Sequence, residues 1–174
     1  MPEPTVDLKN RHLAALLAWM VPGLGHWYQG RRGKAALYFA CILSVYFAGL
    51  ALGHWRVVFW RWVPPTNSDQ FCLNYLGQFF AGLVALPGLI QATLKRYEMG
   101  PILWGYLAEP TQAELNGLYQ PLGKFVEMGY LYTTIAGLLN ILAIFDAYEG
   151  PAIRPEAEPA DQPAETPAAA GVAS

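Results

Sequence analysis

The sequence is poor in charge. Charged residues make up 14% of its 174 residues, compared with about 25% in ordinary soluble domains. All of the charged residues lie outside four apolar stretches: residues 13–28, 35–53, 75–94 and 130–145. This scarcity argues against a soluble domain. The net charge of −2 gives no reason to expect nucleic acid as a partner.

Cysteine and histidine are also scarce. The two cysteines, Cys41 and Cys72, lack the spacing of metal ligands, and we expect them at different depths, which argues against a disulfide. The three histidines, His12, His26 and His54, are scattered and form no pair four residues apart. No Ser-His-Asp or Cys-His grouping falls at one predicted depth. We therefore predict no metal site, no cofactor and no catalysis.

A nucleotide site is not predicted either, although residues 21–34 (VPGLGHWYQGRRGK) are rich in glycine. A P-loop requires Gly, four residues, then Gly-Lys followed by Ser or Thr. Gly25 and Gly30 have the required gap, but Arg31 stands where the lysine is needed. No strand is predicted before this segment, so the dinucleotide-binding fingerprint is absent too.

The lengths of the apolar stretches predict helices that cross a membrane. About twenty helical residues, at 1.5 Å per residue, span the hydrocarbon core of roughly 30 Å. We predict an all-α integral membrane bundle of about four helices, at about 12–22, 34–53, 73–94 and 122–148. Proline removes a backbone donor, so the first helix should stop at Pro22 and the third should kink at Pro87.

The first predicted helix is short, which leaves two alternatives. It either crosses with tilting or thinning of the bilayer, or it re-enters and returns to the same side. If all four helices cross, the two sides of the membrane hold nearly equal numbers of Lys and Arg. If the first helix re-enters, one side holds most of them. The orientation and the oligomeric state therefore stay open.

Segments of different composition flank the predicted transmembrane domain, 12–149. Residues 1–11 form a polar N-terminal arm. Residues 150–174 are rich in Pro, Ala and Glu and cannot bury enough apolar surface to offset their chain entropy, so we predict a disordered tail. Between the third and fourth helices, Thr111 and Glu114 have capping-box spacing, which predicts a short helix.

Small residues recur at three- and four-residue steps along the three longer predicted helices. They are Ala36, Ala40, Ser44 and Ala48 in the second, with Gly49 and Gly53 beside them, Gly77, Ala81, Ala85, Gly88 and Ala92 in the third, and Thr133, Ala136, Asn140, Ala143 and Ala147 in the fourth. Small side chains let helix backbones approach closely in lipid. We therefore predict that these stripes are the packing faces of one bundle.

Three polar residues in the fourth predicted helix are candidate functional residues: Thr133, Asn140 and Asp146. An amide in hydrocarbon needs a partner, and for Asn140 this is Ser44, a backbone carbonyl or another copy of the chain. Asp146 lies at the helix end, where we expect it to reach water or to pair with an arginine of the loop after the second helix, Arg56 or Arg61.

The segment after the first helix resembles a known hairpin. Its motif residues are Pro22, Gly23, Gly25, Tyr28, Gly30, Arg31, Arg32, Gly33 and Lys34. The pattern resembles the glycine-rich turn of the two-transmembrane-helix domain and of related uncharacterised bacterial multi-pass proteins. The end of the last helix, residues 137–147, resembles the apolar run and Asp that close such domains. The third helix and the long connector depart from that pattern, and the Asp-Arg-Phe triplet of the animal members is absent. The resemblance implies a membrane module and no particular activity.

We expect the basic end of this hairpin, Arg31, Arg32 and Lys34, to face water or anionic lipid headgroups. The expected partners are the lipid bilayer and an unknown membrane protein or a second copy of the chain. The leading functional hypothesis is a structural or partner-binding module of the bacterial cytoplasmic membrane. A small transporter or channel component, with Thr133, Asn140 and Asp146 along its route, is the alternative, and an accessory subunit of a membrane enzyme is a third option.

Overall fold

A computed structural model describes residues 9–63 and 72–150. The described residues contain helices and connecting segments without a strand, so the predicted all-α class is confirmed. The elements are α1 (Arg11–Met20), α2 (Leu24–Tyr28), α3 (Arg32–Leu52), α4 (Leu73–Phe79), a 3-10 turn (Gly82–Ala85), α5 (Leu86–Arg96), a second 3-10 turn (Leu103–Gly105), α6 (Gln112–Leu122) and α7 (Lys124–Glu149). The predicted tail after Gly150 and most of the N-terminal arm lie outside the described residues.

Within the described ranges, two helices, α3 and α7, are long and apolar enough to cross a membrane. At 1.5 Å per residue they measure about 31 and 39 Å. They correspond to the second and fourth predicted helices. The other two predicted crossings are shorter, broken helices in the structure, so four continuous crossings are not observed.

Helices α3 and α7 are antiparallel and in close contact. Gly49, near the end of α3, packs on the first half of α7, where a Cβ at Gly49 would lie 2.8 Å from the Thr133 side chain. At the opposite end, Lys34 in the first turn of α3 reaches Asp146 near the end of α7. Small residues at the contact thus let the two backbones approach along their length.

Helices α1 and α2 form a hairpin that lies along the second half of α7. His12 contacts the ring of Tyr148, with ring centroids 5.5 Å apart, and Ala18 lies at the level of Asn140. After the turn, α2 brings Gln29 back to the last turn of α7. The chain therefore enters and leaves this hairpin beside the same end of α7.

The continuous helix predicted over 73–94 is wrong. The chain breaks at Gly82, whose φ of 88° favours glycine, and a Cβ there would overlap the carbonyl oxygen of Trp19. The predicted kink at Pro87 is also wrong, because Pro87 lies in the first turn of α5, where no hydrogen-bonded N–H is needed.

The break makes α5 turn back beside α4. Gly88 lies against the ring of Tyr75, and the Tyr75 hydroxyl donates to the Ala85 carbonyl at 2.8 Å. In a straight helix residues 75 and 88 would be about 20 Å apart. Helices α4 and α5 thus form a second hairpin, which lies along α7 from the end opposite the first hairpin. The two hairpins meet where Gly82 contacts the end of α1.

The small-residue stripes have different environments. The stripe of α7, from Thr133 to Ala147, is buried, as is that of the third predicted helix from Ala81 to Ala92. The stripe of α3 is exposed: Ala36, Ala40, Ser44 and Ala48. Its prediction as a packing face within the chain is therefore wrong for these four residues, whereas Gly49 and Gly53 beside them pack on α7, against Thr133 and Gly129.

Candidate functional site

The hairpin motif forms the tight turn between α1 and α3. Pro22 is buried, and Gly23 has a φ of 84°. A Cβ at Gly23 would overlap the carbonyl oxygen of Ala35, and one at Gly25 would overlap that of Ala14. The glycines thus let α2 lie directly on both α1 and α3, which places the side chains of α2 beside the end of α7.

Asp146 is the centre of a cluster of charged and polar groups, which we call the Asp146 cluster: His26, Arg31, Lys34 and Asp146. The Oδ2 atom of Asp146 lies 2.8 Å from His26 Nε2, 3.0 Å from Arg31 Nη2 and 3.3 Å from Lys34 Nζ. The side chain of Arg31 is 8% exposed and that of Asp146 is 20% exposed. One half-buried carboxylate therefore links α2 and the start of α3 to α7.

The same segment caps the end of α7. Gln29 donates its side-chain N–H to the Ala147 carbonyl at 2.6 Å, and Arg31 donates to the Asp146 carbonyl at 3.2 Å. The last carbonyls of a helix have no partner within the helix, and positive charge there interacts favourably with the helix dipole. Gln29 and Arg31 supply both the donors and the charge.

His26 is fully buried in α2. Burial lowers the pKa of His26 below its ordinary value, and this outweighs the hydrogen bond to Asp146, which raises it. A neutral His26 then donates its Nε2 proton to Asp146. Its Nδ1 has no hydrogen-bond partner among the described residues, so the imidazole ring makes a single hydrogen bond there, the one to Asp146.

The predicted pairing of Asp146 with Arg56 or Arg61 is wrong. Arg56 pairs with Glu114 at 3.0 Å, and Arg61 pairs with Glu109. Both arginines follow the end of α3, whereas Asp146 lies beside its start. The prediction assumed four crossings, which would have placed the loop after α3 and the end of α7 on one side.

The remaining hairpin residues differ in their contacts. Tyr28 accepts a hydrogen bond from Lys9 at its carbonyl oxygen, at 2.9 Å. Arg32 lies over the ring of Trp27, 5.7 Å from the centroid. Gly30 and Gly33 face open space, with no atom within 4 Å of a Cβ built there. The three basic residues of the motif thus divide into two that pair with Asp146 and one, Arg32, that does not.

Asn140 joins the two hairpins. Its Nδ2 donates to the carbonyl of Ala18 in α1 at 3.1 Å and to that of Phe80 after α4 at 2.8 Å. Of the three partners considered from the sequence, the structure shows backbone carbonyls. Ser44 lies on the exposed face of α3 and donates to Ala40 of its own helix.

Thr133 belongs to a second buried polar contact. Its hydroxyl accepts from Gln78 Nε2 at 2.8 Å and lies 2.8 Å from the Gly129 carbonyl, to which it donates. Gln78 also donates to the carbonyl of Val57 at 3.1 Å. This contact ties α4 and the extended segment after α3 to α7.

Three residues of these contacts, His26, Gln29 and Gln78, were missed as candidates from the sequence. Gln78 has a clear signal, because it is a polar residue within an uncharged apolar run, as Asn140 is. His26 and Gln29 lie in the recognised motif, but only the packing of α2 against α7 shows what they bind.

A second charged cluster lies at the other end of the α3–α7 pair. Glu109 pairs with Lys95 at 2.7 Å and with Arg61. Thr111 caps α6 with the predicted capping box, in which its hydroxyl and Glu114 bond each other's backbone N–H groups. No group of three His, Cys, Asp or Glu side chains that could hold a metal ion occurs in the residues that the structure describes.

Fold and site together define an all-helical domain with two helices of membrane-crossing length, whose polar residues join helix ends to one another. A family model matches residues 13–160, and the chain belongs to that family, a family of unknown function (DUF6677). The prediction of an uncharacterised family is thereby confirmed. No curated protein and no solved structure matches the chain significantly.

Proposed function

We propose that this chain is a multi-pass protein of a bacterial cytoplasmic membrane with a structural or partner-binding role. The observation that carries the proposal is the outer surface of the two long helices. Leu37 of α3 is 60% exposed, and Leu142 and Phe145 of α7 are 63% and 62% exposed. Exposure of these large apolar side chains to water is unfavourable, and a bilayer would remove them from water.

The buried interior of the bundle also supports the membrane location. The buried face of α7 consists of small residues and of Thr133 and Asn140, whose donors bind groups of neighbouring elements. A bundle that is apolar outside and places its hydrogen-bonded polar donors inside has the arrangement expected in lipid.

The exposed stripe of α3 supports partner binding. Ala40, Ser44 and Ala48 share one face and lack contacts that bury them within the described residues. In a bilayer, such a face lets a helix of another chain approach closely. The partner is a membrane helix, either of a second copy or of another protein.

Cysteine cross-linking in native membranes tests this role. In a chain with Cys41→Ser and Cys72→Ser, a single cysteine is placed at Ala40, on the exposed stripe, or at Leu142, on the outer face of α7, as the matched control. We expect a discrete cross-linked product from position 40 and little from position 142. Equal products from both positions, or none from position 40, would contradict partner binding through α3. Release of the chain from membranes by alkaline carbonate would contradict the membrane location itself.

One observation favours transport as a second candidate, since broken helices that meet inside a bundle also occur in transporters. The variant Asn140→Leu distinguishes the structural role from the transport role. If Asn140 joins the hairpins, the variant leaves two buried carbonyls without a donor and lowers stability by about 2 kcal/mol, measured by unfolding in mixed micelles. Unchanged stability would favour a role in a solute route instead.

A further inference from the structure

An apolar groove lies between the hairpin turn and α3. Its volume is about 320 Å³, and its walls include Pro22, Leu24 and Trp27 on one side and Ala36 and Phe39 on the other. None of the lining residues is charged. The volume falls within the range of roughly 300–1,000 Å³ found for small-molecule sites.

A cation lies directly above this groove on the same helix face. Arg32, Ala36 and Phe39 are spaced by four and three residues, which places them on one side of α3. Helical side chains point towards the N-terminus, so Arg32 extends away from the groove, towards the start of α3. Its guanidinium stacks over Trp27, itself a wall of the groove.

The charge of Arg32 is available for an external anion. Its neighbours Arg31 and Lys34 share the carboxylate of Asp146. Arg32 is exposed, and no carboxylate within the described ranges pairs with it. The backbone beside it is also open, because no atom lies within 4 Å of a Cβ built at Gly33. An anion can therefore reach both the guanidinium and the first turn of α3.

We propose that the groove and Arg32 together bind one anionic phospholipid, with an acyl chain in the groove and the phosphate at the guanidinium. This proposal rests on the membrane location proposed above. Arginine binds phosphate through paired, charge-assisted hydrogen bonds. The apolar groove and the cation lie within two helical turns of each other. A phospholipid at the edge of the hydrocarbon core has the same order, with an apolar acyl chain followed by a charged phosphate.

Native mass spectrometry of the full chain in mild detergent, titrated with phosphatidylglycerol, tests the proposal. Arg32→Gln removes the charge, and Arg96→Gln is the matched control, because Arg96 also stacks on a tryptophan, Trp62, at 5.8 Å. We expect Arg32→Gln to weaken binding about tenfold and Arg96→Gln to leave it nearly unchanged. Equal affinities of the wild type and Arg32→Gln would overturn the proposal.

A second variant tests the groove. Ala36→Trp fills it from an exposed position, and Leu142→Trp adds the same ring to the exposed face of α7 as the control. We expect loss of phosphatidylglycerol binding in Ala36→Trp alone, with the circular dichroism and melting temperature of both variants unchanged. Retained binding in a folded Ala36→Trp would overturn the acyl-chain assignment.

Two further results separate the sources of the ligand and the two proposals. Competition by glycerol phosphate as strong as that by phosphatidylglycerol would show a simple anion site and overturn the lipid proposal. A chain that stays in carbonate-washed membranes but shows no Arg32 dependence contradicts the lipid site alone. A chain released by carbonate contradicts the proposed membrane location.

Discussion

The two ends of the α3–α7 pair hold their charges in different ways. At the start of α3, a single carboxylate, Asp146, receives three nitrogen groups, one of which, the Arg31 guanidinium, also donates to the Asp146 backbone carbonyl. At the other end, Glu109 and Glu114 each pair with residues that water reaches more easily, such as Lys95, whose side chain is 65% exposed. The two carboxylates are similarly buried, with Asp146 20% and Glu109 17% exposed, so the ends differ in their cations: Arg31 is 8% exposed, whereas Arg61 and Lys95 are 28% and 65% exposed.

The consequence of this difference is energetic. Removing one partner of a buried pair leaves an uncompensated charge, whereas exposed pairs are screened by water and salt. We therefore expect substitutions at the Asp146 cluster to cost more than equivalent substitutions at the Glu109 cluster, with the exposed member of the Asp146 cluster as the exception.

The largest effect is expected for Asp146→Asn. The change keeps the side-chain shape but leaves the guanidinium of Arg31 without its carboxylate in a site where that side chain is 8% exposed. We expect a loss of about 3 kcal/mol, measured as the free energy of unfolding in mixed micelles. A loss no larger than that of Glu114→Gln, the exposed control, would contradict the buried character of the cluster.

A smaller, pH-dependent effect is expected for Glu109→Gln. Burial raises the pKa of Glu109, but the hydrogen bonds from Lys95 and Arg61 lower it more, so its pKa lies below the ordinary 4.5. The carboxylate thus contributes stability above pH 4.5, and the contribution is lost as the pH falls through the folded-state pKa. We expect Glu109→Gln to cost about 1 kcal/mol at pH 7 and nearly nothing once the wild-type carboxyl is protonated. Parallel stability curves of the two proteins between pH 7 and pH 3 would show this assignment to be wrong.

The smallest effect is expected for Lys34→Gln. The Lys34 side chain is 47% exposed and lies 3.3 Å from Asp146, which Arg31 and His26 still contact. We expect a loss of at most about 0.5 kcal/mol, which falls further in high salt. A melting temperature that drops as far as in Asp146→Asn would mean that Lys34 shares the buried role of Arg31.

The sequence predicts features of this fold that depend on local pattern. The uncharged runs locate α3 and α7, and the spacing of Thr111 and Glu114 identifies the capping box of α6. Polar residues within apolar runs are recognisable because an amide among apolar residues is costly without a partner, and Asn140 indeed has two carbonyl partners.

Features that depend on tertiary approach could not be predicted in this way. Pro87 is the stronger local breaker, yet the chain breaks at Gly82, because the end of α1 approaches the backbone there. Likewise, the basic neighbours of Asp146 can be identified only when the course of the chain is known. Placing the loop after α3 beside the end of α7 was enough to assign it to Arg56 or Arg61 rather than to Arg31.

The position of Asn140 also sets an order of assembly. Chains are synthesised from the N-terminus, so the carbonyls of Ala18 and Phe80 are both made before the amide that binds them. Until α7 arrives, the tips of the two hairpins lack this shared donor. The centre of the domain is therefore completed late, by a single side chain of the last helix that the structure describes.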